Sequence, residues 1–154
     1  MVTEITALHV ANTFLKRGFE ENVKITPMKL QKLIYILYKH YLKETGNTLF
    51  LERFGAWQKG PVIPTVYSEF KQYRWHPIDD FSRENDGAVK VVKLDTSPNF
   101  LRLFNDVWDK YKDVDAVELS QLTHRPNGAW HKAIEDKSYI LNDNDIKLEP
   151  DYEI

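Results

Sequence analysis

Five histidines (His9, His40, His76, His124 and His131) and the acid pairs Glu20-Glu21 and Asp79-Asp80 are the side chains here that could bind a metal or move a proton. Their spacing assembles no site. No two histidines fall at the helical interval of a zinc-protease motif, and the absence of cysteine removes thiolate chemistry, disulfides and cysteine-based zinc sites. His124 and His131 flank the Pro126 loop, where a surface or hydrogen-bonded histidine is the ordinary role. The acid pairs sit in polar stretches, where carboxylates are solvated. A phosphate loop, a dinucleotide glycine pattern and a nucleophile elbow are all missing. The expectation is a non-enzyme with no cofactor and no metal.

Two other patterns could do physical work on a partner. Lys29, Lys32, Lys39 and Lys43 recur on the side of a helix away from Leu30 and Leu37. Such a row either meets an acidic partner or phosphates, or is the solvated face of a long helix, and the solvated face is favoured. Ile36 among these lysines marks a place where something packs. The second pattern is Trp57-Gln58-Lys59-Gly60-Pro61-Val62-Ile63-Pro64. Gly60 permits a backbone shape that other residues resist, and two prolines fix it. A rigid loop beside a large aromatic can anchor a partner, or can be a corner that aims the next helix back over the previous one. The candidate partner-binding set is Lys29, Lys32, Ile36, Lys39, Trp57, Lys59, Gly60, Pro61, Val62, Pro64 and Tyr67.

Several elements must position these residues. Thr26–Gly46 has a capping Thr26, a Pro27 suited to the first helical position, apolar residues at intervals of three and four, and a terminating Gly46. Met28, Tyr35, Ile36 and Leu42 lie off that stripe, so the helix is apolar over most of its girth and belongs at the centre of the domain. Thr3–Gly18 reads as a first helix ended by Gly18. One short strand is expected near Phe54–Gln58, and 59–64 is expected to be an irregular turn. A third helix should run from Pro64 or Thr65 to about Tyr73, and Ala88–Leu94 should form a strand able to pair with the earlier one. Ser97-Pro98 opens a fourth helix, Asp115 and Glu118 open a fifth, and Trp130, Ala133 and Ile134 mark a sixth. Residues 142–154 read as a polar, acidic tail. The expectation is a mainly α (α+β) fold: one compact helical domain over 1–154 around a central hydrophobic helix, with a small β-hairpin or two-stranded sheet.

With 154 residues, 42% hydrophobic and 29% charged, the chain can bury an ordinary core. No apolar run approaches the length of a membrane span, and a signal-peptide pattern is missing, so a cytoplasmic protein is expected. The net charge of −2 argues against a nucleic-acid binder. Charge is uneven, with 15 Lys+Arg against 11 Asp+Glu in residues 1–104 and 6 against 12 in residues 105–154. That polarity suits a protein partner held by charge complementarity.

Three blocks carry a resemblance to a known family: Lys29-Leu30-Gln31-Lys32-Leu33-Ile34-Tyr35; Phe54-x-Ala56-Trp57-x-x-Gly60-Pro61-Val62-x-Pro64-x-Val66-Tyr67-x-x-Phe70; and Leu119-x-x-Leu122-Thr123-His124 with Trp130 beyond. Together they resemble the Panacea domain, the SocA-like, GepA-type family of phage-associated proteins. The Trp57–Tyr67 block is the most specific. Ile36-Leu37 departs from the pattern, since relatives often carry a second tyrosine and a small residue there. The resemblance implies an antitoxin of a type II pair, encoded beside a cognate protein toxin, often in a prophage, that neutralises the toxin by direct contact. A second mode implied by the family is an adaptor that delivers the toxin to an ATP-dependent protease, with the acidic segment Asp143–Ile154 as the available second surface. A third reading, a nucleic-acid-binding regulator, would use the lysine row.

Overall fold

The computed structural model describes residues 4–93 and 98–153. In chain order the elements are α1 (Ala7–Glu21), α2 (Pro27–Thr45), β1 (Gly55–Trp57), β2 (Gly60–Val62), α3 (Pro64–Phe70), α4 (Pro98–Tyr111), α5 (Ala116–Thr123), α6 (Ala129–Glu135) and α7 (Asp143–Leu148). A single 3-10 turn, Lys71–Tyr73, extends α3. The fold is mainly helical with one two-stranded antiparallel sheet, as the sequence implies. No helix among the described residues is long and apolar enough to cross a membrane.

Helix α2 is the centre of the molecule. Thr26 caps it by accepting from the Lys29 amide, Pro27 is its first residue, and Gly46 ends it in the left-handed conformation at φ 73°. It packs against α1, α3, α4, α5, α7 and β2. That ring of neighbours explains why Leu30, Leu33, Ile34, Tyr35, Ile36 and Leu37 are all fully buried. Each such aliphatic side chain contributes about 1.5–3 kcal/mol by leaving water. Aromatic rings fill both ends of the core. Tyr35, Tyr38, Phe50 and Phe54 meet at centroid distances of 4.9 to 6.0 Å, and Phe14 lies 4.8 Å from Phe104.

Four expectations are corrected. Helix α1 runs past Gly18 and stops at Asn22, which takes the left-handed φ of 56°. Gly18 is needed for space instead, because a Cβ there would stand 2.9 Å from the Val23 carbonyl oxygen and from Ile25. The Thr3 end of the expected helix lies outside the described residues, and α1 is capped by Thr6, whose hydroxyl accepts from His9 N at 3.2 Å.

The expected strand over Ala88–Leu94 is not formed across its described residues; Leu94, like the Ser97 cap, lies outside them. Side chains of α1 take the backbone groups that a sheet would have used. Asn12 Nδ2 donates to the Ser82 and Lys90 carbonyls (2.9 and 3.0 Å), and Val92 N donates to Thr13 Oγ1 (2.8 Å). The strand that does pair with β1 is β2, within the segment expected to be irregular, in the register Gly55↔Val62 and Trp57↔Gly60. Pro61 is accommodated because β2 is an edge, where a missing N–H leaves no ladder bond unmade.

Residues 142–153 are not a free tail. Asn142 caps α7 by accepting from Asn144 N and Asp145 N, and Ile146, Glu149 and Tyr152 are buried. Glu149 is the reason this polar stretch docks. Its Oε1 accepts from Tyr35 Oη and from Ala129 N (2.8 Å each), and its Oε2 accepts from Lys39 Nζ (3.0 Å) and Tyr152 Oη (2.5 Å). A carboxylate with that many donors is fully satisfied away from water.

Candidate protein-binding site

Three of the four lysines in the row, Lys29, Lys32 and Lys39, are inside the protein and Lys43 is half-buried, which corrects both readings of the row as an outer face. Lys39 is 0% exposed, paired with Glu149, with its ammonium 3.6 Å from the Tyr152 ring centroid. Lys29 donates to the Lys112 carbonyl. Lys32 is 1% exposed and donates to the Pro61 carbonyl oxygen at 3.0 Å. Burial lowers the pKa of all three. For Lys29 the nearby Asp113 and Asp115 oppose the shift, and for Lys39 Glu149 opposes it. No charge opposes it at Lys32, whose pKa falls to about 7. Ile36 is core, which accounts for an apolar residue among lysines that are themselves covered. The partners of these lysines lie at sequence separations from 29 to 111 residues, so no local pattern marks them as buried.

The Trp57–Pro64 segment is as rigid as its sequence suggests, but side chains from elsewhere make it so. Gln31, on α2, grips Ile63 with both ends of its amide: Nε2 donates to the Ile63 carbonyl (3.1 Å) and Oε1 accepts from Ile63 N (2.9 Å). Lys32 holds Pro61. From the other side, Ser120 Oγ donates to the Lys59 carbonyl (2.6 Å), His124 Nε2 meets the Gln58 carbonyl (2.9 Å), and Trp130 Nε1 donates to the Trp57 carbonyl (2.6 Å). Rings of His124 and Trp130 pack against each other, tilted by 55° with centroids 4.0 Å apart. The hairpin is thus clamped between α2 and the α5–α6 region by five side chains. Gly60, at φ 116°, lies where a Cβ would meet Thr123 Oγ1 at 2.7 Å and Lys32 Nζ at 2.8 Å.

This clamped hairpin forms one wall of an open groove of about 330 Å³. The first turn of α2 (Pro27, Met28) and one side of α3 (Val66, Tyr67, Phe70) supply the rest, with Arg74 at the end. Trp57 and Tyr67 stand at the mouth in an edge-to-face pair with centroids 4.9 Å apart, 37% and 45% exposed. Large, partly exposed aromatics on a fixed backbone are the commonest anchors of protein contacts.

Of the candidate set, Lys32, Trp57, Lys59, Val62 and Tyr67 converge on this groove. Gly60 and Pro61 lie buried in the hairpin behind it, and Pro64 is exposed as the first residue of α3. Lys29, Ile36 and Lys39 do not join it. Met28, Gln31, Val66, Phe70 and Arg74 line the groove but are absent from that set. Val66 and Phe70 were legible as the apolar side of α3; Arg74 follows the helix at φ 56° and carries no sequence signal.

A family model described as "Antitoxin SocA-like, Panacea domain" matches residues 30–131. The chain belongs to this family. Among curated proteins, Antitoxin SocA of Caulobacter vibrioides (strain NA1000 / CB15N) is 36% identical to it over 66 residues, which is 43% of this chain and 35% of that protein. The chain therefore spans about a third of the length of the curated relative it matches. No solved structure matches. The Panacea match begins on α2 at Leu30 and ends on α6 at His131, so it takes in Gln31, Lys32, the hairpin, α3, Ser120, His124 and Trp130. Both sides of the hairpin clamp thus fall inside the Panacea region, whereas the Glu149 anchor lies beyond it.

Proposed function

We propose that this Panacea protein is the antitoxin of a type II pair, acting in the cytoplasm, and that it neutralises a cognate protein toxin by direct, stoichiometric contact through the groove at Trp57 and Tyr67. The observation that carries this reading is the groove itself: a pre-formed apolar surface with two exposed aromatics at its mouth, on a backbone fixed by side chains from two sides. A surface built in advance binds without the ordering cost of a flexible one. Neutralisation by occlusion needs no catalytic step.

The test is co-expression. The reading frame beside this one, expressed alone, should stop growth, and this chain should restore it and co-purify with the neighbour's product. Growth restored without a stable complex, together with a shortened toxin lifetime, would favour delivery to a protease instead. Support for the other two readings is weaker. The regulator reading used a lysine row of which Lys29, Lys32 and Lys39 are buried. The adaptor reading used the acidic segment Asp143–Ile154 as a second surface, and Asp143–Leu148 of it is the docked helix α7.

A further inference from the structure

The groove has an uneven charge. Lysine and arginine are the groove's charge-bearing residues, with no Asp or Glu in its lining: Lys32 in the wall, with Lys59 and Arg74 at the surface. None of the three forms an ion pair among the described residues. Arg74 is held at the groove end by a backbone conformation (φ 56°) that a side chain resists, with its amide bonded to the Lys71 carbonyl. Such strain persists where surrounding structure imposes it and gathers at binding sites. Lys32 has three donors, and its one bond among the described residues is to Pro61. Three basic residues without anionic partners therefore share the lining with a surface made chiefly of Pro27, Met28, Val62, Val66, Tyr67 and Phe70.

We infer that the groove takes an acidic segment of the toxin, one that seats an apolar side chain against the Trp57–Tyr67 pair and turns carboxylates toward Lys59 and Arg74 at the surface. This rests on the reading of the groove as the toxin-contact face. Apolar burial supplies the affinity, and charge sets the register and rejects basic segments. Lys32 adds a proton signature. Burial alone holds its pKa at about 7, and no charged group opposes that shift. The other charged residues lining the groove, Lys59 and Arg74, are both cations, so a carboxylate seated there would bring the first negative field to the Lys32 side of the wall. A negative charge nearby favours the ammonium, so binding near neutral pH draws in a proton.

The test needs no toxin. An acetylated, amidated amphipathic peptide with leucines on one face and glutamates on the other is titrated into the full-length, nitrogen-15-labelled protein, beside twins with glutamine or lysine at every glutamate position. The glutamate peptide is expected to shift the Gly60 and Tyr67 amides and the Trp57 indole, to bind about tenfold tighter than the glutamine twin, and to outcompete the lysine twin entirely. Lys59→Glu with Arg74→Glu, both on the surface, should abolish that preference. Lys32→Met should remove the proton uptake seen by calorimetry in buffers of different ionisation heat. Equal affinity for the glutamate and glutamine peptides overturns the inference. So do shifts confined to other residues, tighter binding of a short oligonucleotide at the groove, or groove shifts that appear on raising the protein concentration alone. If peptides discriminate as stated and co-expression gives no rescue, the antitoxin reading fails while the charge preference of the groove stands. Rescue without discrimination has the opposite meaning.

Discussion

Lys39 Nζ lies 3.0 Å from Glu149 Oε2, and neither side chain reaches solvent. The pair joins the middle of the central helix to the end of α7 across 110 residues. It makes a stretch of acidic, hydrophilic sequence part of the core. Removing one member strands the other charge, which costs about 3–5 kcal/mol, whereas replacing both with apolar groups of similar size is often near neutral. Glu149→Ala should therefore lower stability by that amount, since two tyrosine hydroxyls and the Ala129 amide lose their acceptor as well. Lys39→Met with Glu149→Leu should recover much of the loss. Urea denaturation of the two variants and the parent measures both; equal loss in the single and double variants would show that the pair is not the source.

The buried Lys32 makes stability depend on pH. Its pKa is 10.5 in an ordinary setting and about 7 here. Between those values the unfolded chain holds a proton that the folded chain has released, so this group's contribution rises with pH across the window. Below it, the folded protein carries the ammonium in a dry site. Lys32→Met should remove a slope of up to about 1.4 kcal/mol per pH unit from stability measured between about pH 7 and 10, and should be most stabilising on the acid side. Parallel stability curves for the variant and the parent would contradict this.

Gly60 predicts a large effect from one methyl group. Gly60→Ala meets both a φ that side chains resist and atoms at 2.7 and 2.8 Å, one of them on the Lys32 ammonium. A loss of about 1–3 kcal/mol is expected, of the size of overpacking at a tight site. Gly46→Ala is a useful control, with the same sign of φ but open space around it, and should lose less. Thermal melting of the two variants decides the order.

The scaffold was largely legible in the sequence and the site only partly so. Thr26, Pro27 and Gly46 mark α2 with local chemistry, and its apolar girth correctly places it at the centre. Asp115 likewise caps α5, accepting from Glu118 N at 2.9 Å. The misreadings share one cause: long-range polar pairing has no local signature. Lys29, Lys32 and Lys39 look like a solvated row because their acceptors are the Lys112 carbonyl, the Pro61 carbonyl and Glu149. The segment over 88–93 alternates like a strand, but α1 side chains claim its backbone through Asn12 and Thr13. The groove was legible at its hairpin wall and at Tyr67, whereas Arg74 was brought to it by a backbone turn that no residue type announces.

Docking of α7 also changes how an adaptor role must be probed. Deleting 143–154 removes Glu149 and leaves Lys39 unpaired, so the truncated chain should melt far below the parent and lose toxin binding through unfolding. Charge reversal at Glu153, which is exposed, alters the same surface without touching the core pair. Circular dichroism melting of both variants separates the two effects.

The most direct measurement is a colony count on cells carrying the neighbouring toxin with either the parent chain or a variant bearing Lys59→Glu and Tyr67→Glu. Both positions face solvent at the groove, so melting of the purified variant should match the parent. The account predicts full rescue by the parent and loss of rescue by the variant at equal expression and equal stability. Full rescue by the folded variant would contradict it, and would place the toxin on another face.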